Sequence, residues 1–124
     1  MRQRQPRQKL GAHLDFLRGL PCIICGDNTS TEAAHLRFSD ARIVKHNAGV
    51  ASKADDFFCV PLCGAHHRQQ HEIGDERKFW NHHGLDPILY GLRLWSVTGN
   101  HELGSDVVYA ANQLRQAKIN SSAC

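Results

Sequence analysis

Two short turns constrain this chain more than any other feature: Cys22-Ile-Ile-Cys25-Gly26 and Cys63-Gly-Ala-His66. A C-x-x-C turn closed by glycine has the shape of a zinc knuckle, and C-x-x-H supplies a second pair of soft or borderline ligands. Cys22, Cys25, Cys63 and His66 therefore form a candidate structural Zn2+ site. Each pair bites from one turn and the ion closes the segment between them, so its binding energy is folding energy. The five cysteines are not spaced as a disulfide framework, which in a reducing compartment favours metal over disulfide. No thioredoxin-like βαβ pattern surrounds the first pair, so a redox role is the weaker reading. Cys59 is expected to pack within a strand, and Cys124 has no assigned role.

A staple matters at this size. The chain has 124 residues, 41% of them hydrophobic, enough for one soluble domain with a thin core. No apolar run approaches the roughly 20 residues of a membrane span, and the N-terminus lacks the apolar stretch of a secretory signal. The expectation is a cytoplasmic protein with no membrane partner. The net charge of +3 is uneven, with Arg2, Arg4, Arg7 and Lys9 together at the start. Residues 1–9 read as a basic flexible arm, either a phosphate contact or a solvated tail. Residues 10–124 read as one domain, with a zinc-bound core over about 20–74 and C-terminal helices over about 75–118.

Leu10, Leu14 and Leu17 predict a helix over 8–20, broken by Pro21. A strand is expected over 31–38, a long polar loop from Ser39 to Asp56, and a second strand from Phe57 to Leu62, with Pro61 keeping it at an edge or terminus. A helix from Cys63 to Ile73 follows, stopped by Gly74. Asp75 is placed to cap the next, which carries Phe79 and Trp80. Asp86-Pro87 starts another, with Ile88, Leu92 and Trp95 on one face. After a loop over 99–104, Ser105 or Asp106 is expected to cap the last. Phe79, Trp80 and Trp95 read as core, and His46, His82, His83 and His101 as exposed.

His67 and His71 stand four residues apart on the helix that begins at the second ligand pair, a spacing that puts both on one face as a bidentate clamp for an ion. The order is strand, loop, strand, helix. Here the chain resembles the HNH endonuclease superfamily, whose core is the ββα-metal (His-Me finger) unit. The resemblance rests on Cys22-Ile-Ile-Cys25, Ala34-His35-Leu36 and Val60-Pro61-Leu62-Cys63-Gly64-Ala65-His66-His67. The last of these is similar to the family's V-P-L-C-x-x-C-H signature, with His66 in place of the second cysteine. Within the superfamily it is nearest the phage and prophage nuclease branch, related to the RecA-dependent phage recombination-enhancement nuclease. Phe79-Trp80 and Gly84-Leu85-Asp86-Pro87 add to that likeness, which covers about residues 20–95.

The resemblance implies an α+β fold, a zinc-stapled ββα-metal core with flanking helices, and a metal-dependent endonuclease (a hydrolase of phosphodiester bonds, acting on DNA). His35 matches the general base, though it could itself turn to the metal. His67 and His71 match ligands of a second divalent ion (Mg2+, Mn2+ or Zn2+). Two positions depart from the pattern: Ala34 stands where many members have a metal-binding Asp or His, and Phe58 where they have asparagine. Asn47 lies too far upstream to serve. Asp55 or Asp56 could supply an oxygen ligand, and Asp56 is the better candidate to orient His35. Arg37, Arg42, Lys45 and Lys53 are candidate phosphate contacts. A recombinase filament is a further candidate partner. The alternative reading is a non-catalytic, zinc-dependent DNA-binding or recombination accessory module.

Overall fold

His13, Phe16 and Leu17 fall on one side of a helix, with Leu20 in the turn beyond, and all four are buried. The computed structural model, which describes residues 6–37 and 58–122, forms this helix as α1 (Pro6–Arg18). It starts two residues before the predicted Gln8 and ends two before Leu20. Residues 6–9 thus belong to a helix and not to a flexible arm. Proline suits a first turn, where its missing N–H would have no partner anyway. The end comes at Gly19, whose N–H and that of Leu20 turn back to Phe16 O and Leu17 O. Arg2 and Arg4, the predicted loop with Arg42, Lys45, His46, Asn47, Lys53, Asp55 and Asp56, and Cys124 all lie outside the described residues.

β1 (Thr31–His35) pairs antiparallel with β2 (Cys59–Cys63), Thr31 opposite Cys63 and His35 opposite Cys59. Leu36 N donates to Phe58 O at 2.9 Å and adds one more rung. Pro61 sits mid-strand at no cost to the ladder. Its carbonyl accepts from Ile23 N on the outer side at 2.8 Å, and a strand residue's N–H and C=O point the same way. The missing N–H is therefore on the side away from β1, facing the knuckle.

A two-stranded sheet is marginal alone, so both faces are covered. Ala33 and Cys59 meet Phe16, Leu17 and Leu20 on the α1 side. Ala34, Leu36, Val60 and Leu62 join the larger core on the other, with Ile23, Ile24, Phe79, Trp80, Ile88 and Tyr90.

The helices that follow obey their caps. α2 (Gly64–Ile73) begins directly at the end of β2 and stops at Gly74, whose φ of 81° is left-handed. Asp75 caps α3 (Glu76–His83), accepting from the amides of Arg77 and Lys78. Asp86 caps α4 (Pro87–Ser96), accepting from Leu89 N. Its buried line runs through Ile88, Gly91 and Leu94, while Leu92 and Trp95 flank it half-buried.

The last helix departs from expectation. α5 (His101–Ser122) starts at Asn100, whose Oδ1 accepts from Leu103 N at 3.1 Å, so Ser105 and Asp106 lie inside it. Gly104 is a helix-interior glycine at a crossing and not the loop residue expected. A Cβ there would stand 2.6 Å from Phe16 Cζ.

Candidate metal centre

The knuckle is a hydrogen-bonded turn. Gly26 N donates to Cys22 O at 2.8 Å, Cys22 N donates to Asp27 O at 2.9 Å, and Ile24 N points at Cys22 Sγ at 3.4 Å. Facing it, the end of β2 and the first turn of α2 present Cys63 and His66. The four ligand atoms of Cys22, Cys25, Cys63 and His66 all lie within 4.8 Å of one another.

The separations can be tested against an ion. Zn–S of about 2.3 Å and Zn–N of about 2.0 Å in a tetrahedron put sulfurs about 3.8 Å apart and sulfur and nitrogen about 3.5 Å apart. Cys25 Sγ is 3.8 Å from Cys63 Sγ, and His66 Nδ1 is 3.7 Å from Cys22 Sγ and 3.2 Å from Cys63 Sγ. The cluster can hold a metal ion such as zinc.

Its electrostatics agree with that chemistry. Burial lowers the His66 pKa, aided by the nearby Arg115 charge, and the neutral imidazole that results is the ligating form. Burial also pushes the Cys25 thiol up to about 11, with the Cys22 sulfur adding to it. A bound cation would offset that cost, because a coordinating thiol is deprotonated. Helix α5 closes over the knuckle, Asn112 Nδ2 donating to Cys22 O (3.5 Å) and the Arg115 guanidinium to Ile24 O (3.4 Å). Three thiolates around Zn2+ would carry one net negative charge, which Arg115 is placed to offset.

His83 corrects the sequence reading. It is 6% exposed, its ring edge-on to His66 at 5.4 Å and its Nε2 2.8 Å from Gln69 Oε1. Burial, then the charges of Arg115, His66 and His82, lower its pKa to about 4, so it wedges the ligand ring as a neutral group. His82 and His101 are exposed as expected.

One residue beyond His66 begins the second feature. His67 Nε2 and His71 Nε2 are 3.3 Å apart on the outer face of α2. From β1, Glu32 reaches His67 Nδ1 at 2.6 Å, with 54% of its side chain exposed. A cleft of about 600 Å3 opens beside His71, with Arg37, Gln70, Asp75, Glu76 and Arg77 on its walls. Burial raises the Glu76 pKa, opposed by hydrogen bonds from Arg37 N, at 3.2 Å to each oxygen, and from Trp80 Nε1.

The other candidate residues fall in different places. His35 closes β1, and its carbonyl accepts from Gln70 Nε2 at 3.2 Å, so the strand end is pinned to α2 next to His71. Strand alternation sets its ring on the face opposite Ala34, with Ala33. Phe58 is fully buried core. Arg37 lines the cleft, whereas Asp56, Arg42, Lys45 and Lys53 lie outside the described residues. Sequence reasoning missed Glu32, Asn112 and Arg115, none of which sits in a ligand spacing.

Fold and site together define a small α+β protein with a Cys3His cluster able to hold a structural metal. The chain belongs to the DUF968 family, described as a protein of unknown function, which matches it over residues 1–96. No curated protein and no solved structure matches it.

Proposed function

We propose that this chain is a metal-dependent endonuclease that hydrolyses phosphodiester bonds in DNA, of the HNH kind its sequence resembles. The observation that carries this reading is the pair of Nε2 atoms of His67 and His71, 3.3 Å apart on the turn that follows His66. Two zinc-bound imidazole nitrogens in a tetrahedron stand about 3.3 Å apart. In this reading the cluster of Cys22, Cys25, Cys63 and His66 holds zinc as scaffold, and the His67–His71 pair holds a second divalent ion. When bound, that ion supplies a Lewis acid for the scissile phosphate. His35, at the strand end tied to Gln70, takes the proton of the attacking water. Arg37, on the cleft wall beside His71, grips the flanking phosphate.

A second reading, a non-catalytic zinc-dependent DNA-binding or recombination accessory module, draws on three residues. Ala34 and Phe58 are buried apolar groups at positions where a nuclease of this kind carries polar ones, and the His35 ring faces away from Ala34.

Nicking of supercoiled plasmid in Mg2+, Mn2+ or Zn2+ separates the two. The expected result is cleavage by the wild type that falls at least about 100-fold in His35→Ala and in His67→Ala, both retaining the structural zinc. Absence of cleavage on plasmid, on single-stranded DNA and on recombinase-coated DNA, with DNA binding intact, establishes the accessory module instead.

A further inference from the structure

His67 faces two partners at once, and the chemistry of one fixes the state it offers the other. An ionised carboxylate only accepts hydrogen bonds, so the 2.6 Å contact with Glu32 Oε1 must be donated by the Nδ1–H of His67. With its proton on Nδ1, a neutral His67 ring bears a bare lone pair on Nε2. That lone pair points at His71 Nε2, 3.3 Å away, which in the absence of an ion donates its own proton to it. Replacing that one proton by a cation leaves both Nε2 atoms as ligands with the His67–Glu32 bond unchanged.

The strand is built to deliver this carboxylate. Alternation along β1 places Glu32 on the same face as Ala34, and its backbone is fixed opposite Leu62. Gly64, the first residue of α2, leaves it room: a Cβ there would stand 3.4 Å from Glu32 Oε2 and 3.3 Å from the Arg68 guanidinium. No packing role requires an acid at this place, since the Glu32 side chain is 54% exposed.

We infer that Glu32 is a positioning residue for the second ion, its carboxylate holding His67 in the Nδ1–H tautomer so that Nε2 is turned to the metal. The inference rests on the reading of His67 and His71 as an ion clamp. Carboxylates behind metal-bound histidines act in this way, and their loss costs roughly 10–100-fold in metal affinity.

The test compares wild type with Glu32→Ala and Glu32→Gln, each loaded with one equivalent of zinc in the cysteine cluster. Long-range 1H–15N spectra of the imidazoles read the tautomer of His67 before any second ion is added. Calorimetric titration with further Zn2+ then reads the clamp. The wild type is expected to show His67 as Nδ1–H and to take up a second equivalent. Glu32→Ala should shift His67 toward Nε2–H and bind the second ion roughly 10–100-fold more weakly. Glu32→Gln keeps a carbonyl acceptor and should lose only a few-fold.

Unchanged tautomer and affinity in Glu32→Ala overturn the inference and leave the clamp standing. Equal losses in Glu32→Gln and Glu32→Ala also overturn it, since they make Glu32 a ligand itself. A wild type that holds the Nδ1–H tautomer yet takes up no second ion overturns the clamp, and with it any positioning toward a metal.

Discussion

His13 is wholly buried, its Nδ1 2.7 Å from Thr98 Oγ1 and its Nε2 without a partner. Thr98 Oγ1 donates to Trp95 O, so it accepts from the Nδ1–H of His13 and the bare Nε2 lies in an apolar setting. Burial accordingly lowers the His13 pKa from 6.5 to about 4. The unfolded chain binds this proton more readily than the folded one, so His13 supports the fold above pH 6.5. That support drains away as pH falls from 6.5 toward 4, by about 3 kcal/mol for the whole shift. Urea midpoints measured from pH 7.5 to 4.5 should fall more steeply for the wild type than for His13→Phe. Parallel curves would show that His13 titrates normally. At this scale the sequence was legible where chemistry follows spacing. Cys22, Cys25, Cys63 and His66 converge because each pair sits within one turn. Glu32, His13 and His83 were illegible because their partners lie on other elements, and only strand register or helix crossing brings them together.

Helix α5 crosses α1 at Gly104, where Phe16 Cζ and Leu20 Cδ2 would stand 2.6 and 3.0 Å from an added Cβ. Alanine is the better helix former by about 1 kcal/mol, but the buried ring and leucine leave no space. Overpacking of this kind costs about 1–3 kcal/mol, so Gly104→Ala should lower the thermal midpoint. Gly11, inside α1, has nothing within 4 Å of its would-be Cβ. Gly11→Ala should therefore raise the midpoint by the equivalent of about 0.5–1 kcal/mol. Two changes of the same sign would refute the crossing argument. The same contrast explains which element boundaries could be read in advance. Asp75, Gly74 and Asp86-Pro87 act through their own neighbours, and α2, α3 and α4 begin and end where local rules put them. Gly104 acts through Phe16 of α1 and Leu20 beyond it, so no local rule marks it as helix interior or places the start of α5.

At the scale of the whole molecule, many of the described parts converge on the cluster. The knuckle leads out of α1, its Ile23 N–H is bonded to the middle of β2, α2 starts directly after Cys63, and α5 holds Cys22 O and Ile24 O. Removing the metal from such a centre should cost several kcal/mol, a fall of more than about 10 °C in Tm on adding a strong chelator. Cys63→Ser should start from the lower midpoint and respond little to the chelator. A wild type whose midpoint ignores the chelator would mean that the four side chains hold no ion. No helix among the described residues is long and apolar enough to cross a membrane.

His66 and His67 are consecutive, so the last ligand of the cluster and the first arm of the clamp share one turn of α2. If the His67–His71 pair holds an ion as proposed, the two sites are wired in series. On that reading, closing the cluster fixes the turn from which His67 meets Glu32. Loading is on that reading ordered by the chain itself, the cluster first and the outer pair second. Metal scarcity or thiol oxidation at the cluster would then silence the proposed outer site without touching it.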